Sequence, residues 1–381
     1  MTALDSLKDQ ILDAARRQQG LRIRGSGSKD FYGQVPVGDL LDTRQYSGIV
    51  SYEPTELVIS ARCGTPLVEL HQALAAHKQM LPFDPPSFGV GATVGGMVAS
   101  GLSGPRRQAA GPLRDFVLGA SLMNSAGELM YFGGQVMKNV AGYDVSRLLA
   151  GSMGVLGLIT EVSLKVLPLP PADLTLAWRV TQGEALKLMN QWAGQPLPIV
   201  ASAWHSGDLG VRMAGATAAV AAASRAFEQQ YRAVQVPSDD ALQFWTRLRE
   251  QQLPFFAGEA PLWRLSVPTA TKMLAIGDEQ LIEWGGGVRW VRESITAGNA
   301  AAATSNAETA VSNAESAVSR VVTIREIASQ AGGHATLFRG GDKSIGVMQP
   351  LAAVNWRIQQ ALKREFDPLA IFNPGRLYPG L

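Results

Sequence analysis

Apolar positions recur at helical spacing from the start of the chain. Leu4, Leu7, Ile11 and Leu12 share one face of residues 4–18, which predicts an amphipathic helix that Gly20 stops. The period then shortens. Leu21–Arg24 reads as a short strand running into Gly25-Ser26-Gly27-Ser28, and residues 58–61 as another. Pro66 is placed to open a helix reaching about Ala76, because proline suits the first helical position. Val117–Met123 and residues 129–132 alternate as strands around Asn124-Ser125-Ala126-Gly127, a hairpin signal. Residues 158–166 alternate again, with Leu158, Thr160, Val162, Leu164 and Val166 opposing Ile159, Glu161, Ser163 and Lys165.

The texture changes at Pro168-Leu169-Pro170-Pro171, where a domain boundary is expected. Beyond it, strands at residues 174–180, 211–213, 262–267 and 288–291 alternate with helical patterns, and Ser238 is a plausible N-cap for a helix through about Gln251. Residues 297–318 contain nearly the same heptad twice, with only Val and Ala to form an apolar stripe. They predict a low-complexity loop or a frayed helix without a functional role. Residues 355–381 hold a helix and then Phe372-Asn373-Pro374-Gly375-Arg376, a rigid turn pattern. The expected division is 1–170, 171–350 (carrying the 297–318 insertion) and 351–381, in an α+β fold class.

Composition narrows the function. The chain has 381 residues, enough for two or three domains and a sizeable core. Charged residues are 17% of the chain where about 25% is usual, and its 40 glycines exceed the usual ~7%. Net charge is +2 with no long basic block, so no nucleic-acid footprint is expected. The single cysteine, Cys63, excludes an internal disulfide and any Cys-based metal or iron–sulfur site, and fits a reducing compartment. Residues 1–10 lack the apolar run of a secretory signal. Residues 85–105 carry no charge, but their glycines, serines and Thr93 would make a poor lipid-facing helix; they read as buried backbone facing something. The expected location is the cytoplasm, with any contact at the inner membrane peripheral and made through partners.

Two glycine-rich loops, residues 24–29 and 89–104, are the first chemical signal. Their small residues let backbone N–H groups approach a phosphate-bearing ligand closely, although either alone is equally compatible with an ordinary turn. No Gly-Lys pair suits a P-loop. Residues 89–95 look like a stretched dinucleotide fingerprint, but they follow Pro82, Pro85 and Pro86 rather than a strand, so the Rossmann reading fails on context.

A longer string is more specific. Lys138-Asn139-Val140-Ala141-Gly142-Tyr143-Asp144-Val145-Ser146-Arg147 precedes Gly151-Ser152-Met153-Gly154-Val155-Leu156-Gly157-Leu158-Ile159-Thr160-Glu161-Val162. Here the chain resembles the vanillyl-alcohol-oxidase-type flavoproteins with a PCMH-type FAD-binding domain, and among them the FAD-binding subunits of bacterial glycolate oxidases. The resemblance covers about residues 1–290 and 320–381. It implies an FAD-binding domain of two α+β subdomains and a second, cap-like α+β domain. It also implies that Gly25, Ser26, Gly27, Ser28 and Lys29 hold the FAD pyrophosphate together with Gly91, Ala92, Thr93, Val94, Gly95, Gly96, Ser100 and Gly101. Gly154, Leu156, Gly157 and Ile159 would line the cofactor. The turn containing Asn373, Gly375 and Arg376 would return to the flavin ring, where the Arg376 cation could stabilise reduced flavin.

Two departures matter. Many relatives attach FAD through a histidine in the first loop, where this chain reads Arg24-Gly25-Ser26-Gly27-Ser28, so non-covalent FAD is expected. Relatives that use a metal carry a His-rich motif in the second domain; here His334 has no partner in Gly332-Gly333-His334-Ala335, and no metal is expected. His71 and His77 read as surface residues. His205 and His334 are weak candidates for taking a hydroxyl proton, and Arg264, Arg289 and Arg339 for gripping a carboxylate.

The resemblance implies a complex with a homologous FAD-containing catalytic subunit and an iron–sulfur subunit, acting on glycolate as a small 2-hydroxy acid. Three alternatives stay open: a subunit that holds FAD or relays electrons without substrate chemistry, another FAD-dependent 2-hydroxy-acid dehydrogenase, or a sugar-nucleotide enolpyruvate reductase. The last would need NADPH and a protonating residue that the sequence does not locate.

Overall fold

A computed structural model describes residues 2–134, 144–277, 279–293 and 307–381. The chain folds into two compact units, Met1–Leu169 with Pro350–Leu381, and Pro170–Gln349.

The first unit begins with α1 (Ala3–Arg17). Thr2 and Asp5 close its N-terminus as a reciprocal capping box, and Leu7, Ile11 and Ala14 form its buried face. β1 (Leu21–Arg24) pairs in parallel with β2 (Asp39–Asp42), and on its other side Leu21 bridges in parallel to Phe372, so the chain's end completes this small layer. Leu7, Ile11, Leu21, Leu41 and Phe372 form its core.

β3 (Ile49–Glu53), β4 (Val58–Arg62), α2 (Leu67–Ala76), β5 (Gln79–Met80), α3 (Val94–Ser100), α4 (Arg107–Ala110), β6 (Val117–Met123), β7 (Leu129–Gly133), α5 (Val145–Leu148), β8 (Leu158–Lys165) and β9 (Leu167–Pro168) build the second layer. Five strands pair antiparallel in the order β3-β4-β8-β6-β7, and β5 pairs with β9. Their alternating inward side chains, including Ile59, Val162 and Leu164, pack against Leu70 and Leu74 of α2 and Val94, Met97 and Val98 of α3. Burying each such side chain stabilises the fold by about 1.5–3 kcal/mol. With two cores on two small sheets, this unit has the two α+β subdomains the resemblance implies.

The second unit is an eight-stranded antiparallel sheet with helices. In chain order its elements are β10 (Ala172–Arg179), α6 (Gln182–Ala193), β11 (Ile199–His205), β12 (Asp208–Gly215), α7 (Thr217–Tyr231), β13 (Val234–Val236), α8 (Ser238–Arg249), β14 (Leu262–Ser266), β15 (Glu279–Glu283), β16 (Val288–Arg292), α9 (Ala307–Gln330) and β17 (His334–Arg339). The strand order is β13-β10-β12-β11-β15-β16-β14-β17. Trp192, Phe227 and Val211 centre one core; Trp263, Ile324 and Leu337 centre the other. The chain then returns to the first unit through α10 (Ala353–Phe366).

Two expectations about helix starts change. Pro66 is the N-cap of α2, and Leu67 is its first residue. Ser238 is the first helical residue rather than the cap, because Pro237 takes the N-cap position, with φ −52° and ψ 143° and no side-chain bond. In the insertion, residues 297–306 lie outside the described residues, whereas the backbone from Ala307 belongs to α9.

Candidate functional site

The first unit contains a cleft enclosing about 860 Å³ of empty space, part of it open to solvent. Gly25, Ser26, Gly27, Ser28 and Lys29 form one wall, and Thr93, Gly95, Gly96 and Ser100 a second. Gly154, Gly157, Ile159, Asn373 and Arg376 complete it. Thus the structure brings together four segments that the sequence singled out separately.

Other expected residues do not line the cleft. The side chains of Ala92, Val94 and Leu156 enter the core. Gly101 ends α3 in a left-handed conformation, and Gly91 and Gly375 also stand outside the lining. Conversely, Arg22, Tyr32, Thr43, Cys63 and Met153 line the cleft without having been singled out for it, and Arg24, the first residue of the glycine-rich stretch 24–29, lines it too. For Arg22 a signal existed: it alternates with Leu21 and Ile23 in a strand whose apolar residues face a core.

Side-chain bonds hold the first wall. Ser28 Oγ donates to the Ser87 carbonyl at 2.8 Å, and Lys29 Nζ to the same oxygen at 3.2 Å. Arg24 pairs with Asp30 at 2.8 Å. The buried Arg376 guanidinium reaches across to donate to the carbonyls of Gln34, Lys29 and Asp30, and burial holds its pKa below the usual arginine value.

The second wall corrects the reading of residues 89–104 as a loop, because α3 lies within them. Thr93 supplies the cap: its Oγ1 accepts the Gly96 N–H at 3.3 Å. Tertiary bonds override the weak helix propensity of Gly95 and Gly96, with Val94 N–H donating to Thr65 O at 2.9 Å and Gly95 N–H to Cys63 O at 2.8 Å. A Cβ on Gly95 would sit 2.7 Å from the Cys63 Cβ, so only glycine allows this approach. Cys63 is buried, and burial pushes its thiol up to about 12.

The Met153–Gly157 turn is fixed from both sides. Met153 N–H donates to Ala99 O at 2.8 Å. Asn373 Nδ2 donates to Met153 O at 2.6 Å, while its Oδ1 accepts the Ile23 N–H at 2.7 Å. One carboxamide therefore joins β1, the turn and the chain's end. Lys138 to Tyr143 of the long motif lie outside the described residues; Asp144, just after them, caps α5.

The weak catalytic candidates all belong to the second unit. His205 ends β11, with Nε2 2.6 Å from Glu279 Oε1. His334 opens β17, and Arg339 at its end donates to Gln251 Oε1 at 2.8 Å. None lines the cleft. Among the described residues no group of three His, Cys, Asp or Glu side chains is placed to hold a metal, and no helix is long and apolar enough to cross a membrane.

The cleft fits a dinucleotide of flavin type. Small residues bring bare backbone to it, and Ile23, Met153 and Leu158 offer apolar surface for a ring. Arg22, Arg24, Lys29 and Arg376 face the single carboxylate of Asp30 among the described lining residues, a charge balance suited to a diphosphate. This fold and site define an FAD-binding flavoprotein with a PCMH-type domain: residues 2–133 match the family of FAD binding domains. Over 376 residues, 99% of this chain and 97% of the other, the sequence is 45% identical to glycolate oxidase subunit GlcE of Escherichia coli, and the chain belongs to that subunit's family of FAD-dependent oxidoreductases. Glycolate oxidase subunit GlcD of Bacillus subtilis is 32% identical over 40% of this chain and 33% of its own length. An alkyldihydroxyacetonephosphate synthase structure shares the fold, with a TM-score of 0.65 at 15% identity, covering 97% of this chain and 75% of that one.

Proposed function

We propose that the chain is the FAD-holding subunit of a glycolate oxidase complex, and that with its partners it takes part in oxidising glycolate to glyoxylate. The observation that carries this reading is the 45% identity to a glycolate oxidase subunit over nearly the whole chain, in which glycines from three separate segments converge on one cleft. When bound, FAD would supply the two-electron acceptor for the alcohol carbon. The chain's own residues hold and orient it: the Gly25–Lys29 loop and the start of α3 at its diphosphate, the Met153–Gly157 turn along its length, and Arg376 as a fixed cation. Attachment is non-covalent in this reading. The first loop has no histidine, and the buried Cys63 thiol, with its pKa pushed up to about 12, is a poor nucleophile.

A homologous flavin subunit of the GlcD kind and an iron–sulfur subunit are the proposed partners; one cysteine cannot ligate a cluster here. Contact with a membrane would run through those partners. A second reading, an electron-relay or assembly subunit without its own substrate chemistry, is favoured by the lining itself. Its described acid–base groups are Lys29, bonded to the Ser87 carbonyl, Asp30, already paired with Arg24, Tyr32 and the high-pKa Cys63. Anaerobic glycolate added to the purified, flavin-loaded chain separates the two. Bleaching of the flavin absorbance supports direct oxidation, and bleaching only after the partners are added supports the relay. Bleaching by another 2-hydroxy acid such as D-lactate, and not by glycolate, would move the assignment to a different dehydrogenase. A chain purified natively without any flavin spectrum would remove the whole proposal.

A further inference from the structure

Four cationic side chains line the cleft, and three have evident structural work. Arg24 pairs with Asp30, Lys29 bonds Ser87 O, and Arg376 holds the carbonyls of Gln34, Lys29 and Asp30. Arg22 differs. Among the described residues its side chain makes no hydrogen bond or ion pair, and its Nε is shielded from solvent without a partner. It is partly buried, on β1, three residues before the glycine loop, and two residues from Arg24, so strand geometry sends both guanidinium groups to the same face.

A guanidinium drawn out of bulk water without a counter-charge is costly, and the cost is recovered when an anion arrives. Oxidised FAD carries its permanent negative charge on the diphosphate, and the ring is neutral. We infer that Arg22 is a side-chain ligand of the FAD diphosphate and the residue by which this chain prefers FAD to a phosphate-free flavin. The inference rests on the flavin reading of the cleft. Backbone N–H groups of the Gly25–Lys29 loop would orient the phosphates, and Arg22 would add a guanidinium with no other partner among the described residues, since Arg24 is paired with Asp30 and Lys29 and Arg376 hold backbone carbonyls.

The test compares FAD and riboflavin binding to the deflavinated full chain, wild type beside Arg22→Gln and Arg22→Lys, by quenching of flavin fluorescence. Loss of one charge-assisted contact should weaken FAD binding to Arg22→Gln about ten- to a hundredfold, with riboflavin affinity unchanged within about twofold. Arg22→Lys, which keeps the charge but not the fork, should fall between them. Added salt should weaken FAD binding more in the wild type than in Arg22→Gln. Equal FAD affinity in wild type and Arg22→Gln overturns the inference and leaves the flavin reading intact. A parallel loss of FAD and riboflavin binding in folded Arg22→Gln and Arg22→Lys overturns it too, since that marks a purely structural role. A wild-type chain that binds neither flavin sinks the flavin reading, and this inference with it.

Discussion

Lys363 and Asp367 form a buried ion pair one helical turn apart, Nζ to Oδ2 at 2.7 Å, at the end of α10. The ammonium also donates to Val155 O at 2.7 Å and Phe372 O at 2.8 Å, and the carboxylate accepts the N–H groups of Ile371 and Phe372. The pair thereby fastens the Met153–Gly157 turn to the returning chain end, two walls of the same cleft. Burial pulls the Lys363 pKa below the ordinary lysine value even though Asp367 opposes that shift.

Breaking this pair should be expensive. Lys363→Met strands the Asp367 carboxylate, which is fully buried, and a stranded buried charge typically costs about 3–5 kcal/mol. Denaturant unfolding of the first unit should show that loss. In Lys363→Met/Asp367→Leu the damage should be less than the sum of the two single substitutions, because no lone charge remains.

Cys63 gives a signed pH dependence. Its thiol sits near 9.0 when free and is pushed up to about 12 by burial, so the folded chain keeps a proton that the unfolded chain gives up. A raised folded pKa contributes stability that is fully present below about 9 and is lost as pH climbs toward about 12. Between those values the wild-type denaturation midpoint should fall more steeply than that of Cys63→Ala. Thiol reagents should label native Cys63 far more slowly than the unfolded chain.

The glycines are not interchangeable. Gly95→Ala would drive a Cβ to 2.7 Å from the Cys63 Cβ and 3.0 Å from its carbonyl oxygen, neither of which can yield cheaply. It should destabilise the first unit by about 1–3 kcal/mol before any effect on cofactor binding is considered. Gly375→Ala meets nothing within 4 Å, so only the strain of its φ of +69° is at stake, about 1–2 kcal/mol. Thermal unfolding of the two variants should separate packing from backbone strain. Gly95 was conspicuous in the sequence as a residue that lets a ligand approach; the structure gives it a packing reason first.

That difference shows what sequence could and could not reveal. Period-2 alternation made the Val117–Met123 and Leu129–Gly133 hairpin plain, with Asn124 Oδ1 accepting the Ala126 and Glu128 N–H groups around its turn. Helix α3 was hidden, because Gly95 and Gly96 have poor helix propensity and the bonds from Val94 and Gly95 to Thr65 and Cys63 are tertiary. The glycine loops stood out because small residues are visible in composition. Arg22 and Cys63 did not, since their importance lies in which strand face they occupy and in what surrounds them. Asn373 was legible as part of a turn, but its link to Ile23 spans 350 positions and no local pattern encodes it.

If Arg376 is the cation beside the flavin ring, as we propose, it offers the test closest to the redox chemistry. Its guanidinium is buried and held by three backbone carbonyls, so its position is set by the protein, not by solvent. Burial lowers its pKa, yet arginine starts so high that it stays cationic at neutral pH. A fixed cation beside a flavin favours the reduced, anionic form and raises the midpoint potential. Arg376→Met should therefore lower the potential of the bound flavin, measured by spectroelectrochemistry on the holoprotein. Arg376→Lys should restore part of the shift, because it keeps the charge while losing the fork that spans the carbonyls. Both variants should also loosen the first loop at Lys29 and Asp30 and raise the rate of flavin release. A potential unchanged in Arg376→Met, with FAD content intact, would show that this cation serves only to tie the loop to the chain's end.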